Sequence, residues 1–119
     1  MKLDALLQFI KTQLEDNKGD NIVELDVKPL TQSFDTMVIC TGTSTRHVQS
    51  IARKLIAAAK EANIPMLGVE GETFSEWVLV DFGDVVVHVM LKSQRDLYQL
   101  EKLWTVTEQF KKQQQTENK

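Results

Sequence analysis

The chain has 119 residues, 42% of them hydrophobic and 26% charged, which suits one ordinary globular domain rather than two. A net charge of −3 lacks the basic footprint of a phosphate-tracking protein, so direct nucleic-acid binding is disfavoured for the domain as a whole. The single cysteine, Cys40, excludes an internal disulfide, and neither a signal peptide nor a membrane span is legible, so a reducing cytoplasm is expected.

Leu3, Leu6, Leu7, Ile10 and Leu14 recur at helical spacing, which predicts an amphipathic helix from residue 2 to about 17, ended by Gly19 as a left-handed cap. Ile22 to Val27 alternates with period two and reads as a strand with Val23, Leu25 and Val27 on its buried side, closed by Pro29. Thr36 to Thr41 has an unbroken apolar centre and suits a strand buried on both faces. Cys40 lies within it, among Val38 and Ile39, where a structural role is expected. Gly42 to His47 opens a second helix whose apolar face is Val48, Ile51, Ala52, Leu55, Ala59 and Ala62. Hydroxyls and Arg46 at that start can hold an anion, but capping by Thr43 or Ser44 accounts for the same residues. Asn63, Ile64 and Pro65 stop the helix, and Met66 to Val69 reads as a short strand.

From Glu76 to Leu91 two β-branched runs flank Gly83-Asp84, which predicts a hairpin. A two-residue turn there pairs Phe82 with Val85, Val80 with Val87 and Val78 with Val89, all on one face. The opposite face carries Trp77, Leu79, Asp81, Val86, His88 and Met90, too apolar to stand in water. The chain's own helices can cover one face, and a partner is expected on the other. After a Lys92–Gln94 loop, Arg95 to Trp104 reads as a helix, with Tyr98 and Glu101 projecting beside the open face. From about Thr107 the chain turns polar and biased, so residues 1–106 are expected to form the domain and 107–119 a flexible tail.

Signals for chemistry are weak. Glu24 and Asp26 share one face of a strand, a geometry that can hold a divalent metal for nucleotidyl transfer, but no third acid is evident and the Gly42-Thr43-Ser44 turn follows rather than precedes them. His88 and Asp81 suggest a base and its orienter, with no nucleophile to serve. His47 and His88 have no ligand companions, so neither a metal nor a cofactor is expected.

Four motifs, Thr41-Gly42-Thr43-Ser44-Thr45-Arg46-His47, Val69-Glu70-Gly71-Glu72, Glu76 to His88, and Leu97 to Trp104, together closely resemble the bacterial ribosomal silencing factors, the Iojap-like family. The likeness covers about residues 3 to 104. It implies a cytoplasmic non-enzyme that binds the large ribosomal subunit through the fourteenth ribosomal protein and blocks the small subunit, repressing translation when nutrients are scarce. It also implies a nucleotidyltransferase-like topology without the catalytic acids. The alternative is a nucleotidyltransferase-like enzyme using Glu24 and Asp26. A homodimer of the free protein and a contact with nearby ribosomal RNA stay open.

The resulting expectation is a single α/β domain with a five-stranded mixed sheet and helices packed on it. Its partner-binding residues are Trp77 and Tyr98 as aromatic anchors, His88 and Met90 beside them, and Glu70, Asp81 and Glu101 as an acidic rim. Many relatives have Tyr at the position of Phe82, so only an apolar contact is carried over there. The stretch from Glu61 to Leu91 holds six acids and no Lys or Arg, a charge pattern that suits a basic partner.

Overall fold

Glycine at 83, at φ +93°, turns the chain between two valine-rich strands, and the hairpin built on it supplies two of the sheet's strands. The computed structural model describes residues 2–28 and 35–98, with the side chains of 97 and 98 left aside. In chain order the elements are α1 (Leu3–Asp16), β1 (Asp20–Asp26), β2 (Thr36–Gly42), α2 (Thr45–Glu61), β3 (Gly68–Glu70), β4 (Trp77–Asp81), β5 (Val85–Leu91) and α3 (Lys92–Tyr98). The strands form one five-stranded mixed sheet in the order β1-β2-β5-β4-β3, in which β2 and β5 run parallel and the other neighbours antiparallel. The expected hairpin register is observed, with Val78 opposite Val89 and Val80 opposite Val87, and Phe82 N–H donating to the Val85 carbonyl at 2.9 Å.

Both faces of the sheet carry apolar clusters, of unequal size. The larger lies beneath the helices, where Leu6, Ile10 and Leu14 of α1 and Val48, Ile51 and Leu55 of α2 meet Val38, Val78, Val80 and Val87. On the other face Leu25, Val27, Ile39 and Met90 are buried together, with Val23, Met37 and Trp77 packed against them. Cys40 is fully buried on the helix side, and burial pushes its thiol up to about 12. It therefore stays protonated and inert, in keeping with a structural role.

The structure corrects several local expectations. Lys18, not Gly19, takes the left-handed conformation after α1 (φ +63°). Gly19 is needed for space, because a Cβ there would collide with the Cys40 sulfur and the Leu14 carbonyl oxygen. Ala62 is the exposed C-cap of α2 and does not extend its buried face. The short strand starts at Gly68 rather than Met66. Lys92, Ser93 and Gln94 are helical, so α3 follows β5 without a loop. The expected helix end at Trp104, the tail from 107 and Pro29, expected to close the first strand, fall outside the described residues.

Arg95 is the reason α3 lies where it does. Only 5% exposed, its Nη1 donates to the Asn21 carbonyl at 2.6 Å and to Thr41 Oγ1 at 2.8 Å, tying the helix to the start of β1 and the end of β2. A buried guanidinium aimed at two oxygens holds them strongly, since charged hydrogen bonds exceed neutral ones. Arg95→Met keeps the apolar bulk and leaves both acceptors without this donor. It is expected to lower stability by about 1.5 kcal/mol, measured as a lower denaturant midpoint at constant slope. An unchanged midpoint would show that the tie contributes nothing.

Candidate functional site

Pairing of β4 with β5 puts Trp77 opposite Met90, Leu79 opposite His88 and Asp81 opposite Val86. These side chains point away from α1 and α2 because strand residues alternate between faces. Pairing of β3 with β4 then sets Glu70 beside Leu79. The result is a concavity of about 620 Å³ with Met37, Leu79, Val86 and His88 as its apolar floor. Glu70, Asp81 and Asp84 line its sides, Leu67 stands at its margin, and among the described residues no Lys or Arg borders it.

Trp77 and His88 form one unit at the edge of this floor. The indole Nε1–H donates to His88 Nδ1 at 2.8 Å, and the rings lie 5.7 Å apart at a 49° tilt. An accepting Nδ1 puts the proton of the neutral imidazole on Nε2. Burial pushes His88 down to about 4, so at neutral pH the ring is uncharged. Asp81 does not orient it. One Asp81 oxygen accepts the Gly83 N–H at 2.8 Å and braces the hairpin turn, so the base-and-orienter pairing of Asp81 with His88 is not formed.

Of the residues expected to bind a partner, Glu70, Asp81 and His88 meet in the concavity, and Trp77 adjoins it through His88. Met90 is fully buried, because the face is not an open plane: its β1–β2–β5 side is filled by the second cluster. Met90 therefore supports the floor and has no surface to offer a partner. Phe82 is 8% exposed and packs in the core beneath the helices, on the opposite side of the sheet. Its apolar contact is internal. The Tyr98 side chain and Glu101 lie outside the described residues.

Three contributors were missed in the sequence. Leu67, 75% exposed, falls within the strand expected from Met66, and only the observed start at Gly68 leaves it outside. Met37 joins through the parallel pairing of β2 with β5, which puts it beside Val86 and has no local signature. Asp84 is legible as a turn residue, yet the turn at the end of this hairpin also borders the adjoining face.

The other candidate places are occupied by structural work. Ser44 Oγ accepts the His47 N–H at 3.1 Å and caps α2, as the capping reading expects. The Thr43 N–H donates to His47 Nδ1 at 2.9 Å, and the ring's Nε2 reaches the Asn17 carbonyl at 3.1 Å, fastening α2 to the end of α1. Two N–H groups an anion would need are thus already used. Glu24 is paired with Lys11 at 3.0 Å, and an Asp26 oxygen accepts the Lys28 N–H at 3.1 Å. Asp26 pairs with Thr36, at the end of β2 opposite Gly42, and at about 3.3 Å per residue roughly 20 Å separates that acid from the glycine turn. Glu24 and Asp26 cannot act together with Gly42–Thr45 in this fold. Among the described residues no three His, Cys, Asp or Glu side chains gather in a way that could hold a metal, and no helix is long and apolar enough to cross a membrane.

Comparison with known proteins adds a second line. Residues 1–119 match the family described as ribosomal silencing factor during starvation. A ribosomal silencing factor of Chromobacterium violaceum is 45% identical over 104 residues, covering 87% of this chain and 85% of the relative. A crystal structure of a protein from the same organism superposes with a TM-score of 0.85 at 45% identity, covering 88% of each chain. The mouse protein named for mitochondrial assembly of the ribosomal large subunit is 36% identical over 107 residues, covering 87% of this chain and 45% of its own length.

Proposed function

The chain belongs to the ribosomal silencing factor family, and from that premise we propose that it binds the large ribosomal subunit through the fourteenth ribosomal protein and sterically prevents the small subunit from joining. It acts in the cytoplasm as a repressor of translation under nutrient limitation, and it works by occupancy rather than catalysis. One observation supports this most: the concavity on the sheet has an apolar floor and acids on its sides, with no Lys or Arg among the described residues that line it. That is the complement of a basic protein surface with an apolar centre, the character expected of a protein built to lie on ribosomal RNA.

The enzyme alternative loses support from the separation of Glu24 and Asp26 from the glycine turn. On the present reading, a fold related to nucleotidyltransferases no longer assembles their acids. Nucleotide with Mg²⁺, titrated against the pure protein, is expected to give neither binding nor turnover. A homodimer of the free protein would use the same face and is expected to give way to large subunits.

Co-sedimentation tests the reading directly. The pure chain is expected to pellet with isolated large subunits and to lower the yield of joined ribosomes when small subunits follow. Pelleting with neither subunit ends the proposal. A charge variant tests the site itself. Asp81 braces the turn and is left intact, while Glu70→Gln with Asp84→Asn removes two exposed acids. Association with large subunits is expected to slow several-fold, with a flatter salt dependence and little change in dissociation, because exposed charges act mainly on the encounter. Faster association in the variant would move the contact to the basic residues Arg46, Arg53 and Lys54.

A further inference from the structure

The sheet ends in two edge strands, β1 and β3, and they are guarded differently. β1 has a register shift between Asp20 and Val23, the acids Asp20, Glu24 and Asp26 along it, and Lys11 held against Glu24. Bulges and edge charges are the usual means by which a sheet avoids recruiting another strand. β3 pairs in continuous register with β4, and among the described residues no strand lies beyond it. Gly68 and Glu70 are exposed and Val69 is half-buried. Leu67 just before the strand and Phe74 in the connection after it are 75% and 81% exposed.

A concavity flanks β3 on each side of the sheet. The acidic one uses Leu67 and Glu70. The other, of about 460 Å³, lies between β3 and α2. Ile56, Met66 and Val69 give it an apolar lining, and among the described residues that border it Arg53 and Lys60 outnumber Glu72. The strand is thus a wall shared by two grooves of opposite charge.

We propose that the partner docks by adding an extended segment to the outer edge of β3, its side chains passing alternately into the two grooves. Successive side chains of a strand point to opposite faces of the sheet, so such a segment carries basic residues toward Glu70, Asp81 and Asp84 and acidic ones toward Arg53 and Lys60. The identity of the partner rests on the function proposed above; the mode of contact is additional to it. A second copy of this chain is a poorer occupant. Two β3 strands paired antiparallel about a twofold axis normal to the sheet would put the acidic grooves of both copies on one face, acid beside acid.

The test combines amide hydrogen exchange of the full chain, free and bound to isolated large ribosomal subunits, with co-sedimentation of Arg53→Glu/Lys60→Glu and Glu70→Gln/Asp84→Asn. All four substituted positions are exposed, so the variants are expected to melt like the parent. Exchange at Gly68–Glu70 is expected to slow about tenfold or more on binding, as amides become hydrogen-bonded or covered. The Arg53/Lys60 reversal is expected to weaken binding about tenfold, as like charges meet across the groove. Strand addition is overturned if the parent pellets and the acid variant binds more slowly, while the reversal binds like the parent and the β3 amides exchange as in the free protein. That result leaves the proposed function standing, whereas failure of the parent to pellet overturns both. Protection of β3 that grows with concentration in the free protein would assign the edge to a second copy and also overturn the proposal.

Discussion

Trp77→Ala is expected to weaken binding to the large subunit by about 2 kcal/mol or more, roughly thirtyfold, the range of a central aromatic anchor. The indole is half-buried, packed on the second cluster on one side and joined to His88 on the other. Truncation removes apolar area beside the acidic concavity and takes away the donor to His88 Nδ1, so the floor itself loosens. Trp77→Phe separates these effects, since it keeps most of the ring and loses the N–H. Phe is expected to recover more than half of the lost binding energy if area dominates. Circular dichroism and thermal melting of both variants are the controls. A folded Trp77→Ala protein that binds like the parent would remove Trp77 from the interface, and one that is unfolded at ordinary temperature would make it a core residue.

The second large effect is on stability and comes from His88. In the unfolded chain this histidine takes its proton near 6.5, while burial holds the folded ring down to about 4. Between those two values the unfolded state binds the extra proton, so stability falls as the pH falls through the window and levels off below it. Above 6.5 neither state is protonated and the contribution is flat. His88 alone is expected to remove roughly 3 kcal/mol between neutrality and pH 4. Carboxylates titrate in part of the same range, so the measurement is the difference in urea-unfolding free energy between the parent and His88→Asn across that range. Asn places a neutral acceptor where Nδ1 stands and can keep the indole bonded. Equal pH slopes for the two proteins would show that His88 is not held neutral by burial.

Much of the fold could be read locally, because the hairpin announces itself through period two and a Gly-Asp turn, and α1 and α2 through their apolar stripes. What could not be read depends on neighbours distant in sequence. On the Trp77 face Met90 is buried in one cluster with Ile39 of β2 and Leu25 of β1, neighbours that the hairpin's own sequence does not announce. The partner contact at Phe82 comes from the family resemblance alone, whereas the hairpin register sets Phe82 on the face opposite Trp77, and the structure buries it there in the core. Arg95 is legible in the sequence only as the first residue of a helix, and its burial requires acceptors from Asn21 and Thr41, far along the chain. The acidic side of the site was legible because charge needs no register: six acids without one base remain conspicuous in any fold.

The parallel ladder at the centre of the sheet joins residues 36–42 to residues 85–91, and that has a consequence for the order in which the protein is made. During synthesis α1, β1, β2 and α2 all emerge while the slot beside β2 is still empty, and local pairing cannot fill it. Non-local closure of this kind comes late and costs loop entropy before it is rewarded. β5 completes the ladder, supplies Val86 and His88 to the site and anchors α3 in one move. A growing chain therefore lacks the acidic concavity until Leu91 has left the exit tunnel, so the face proposed to meet the large subunit is assembled only after most of the chain has been made.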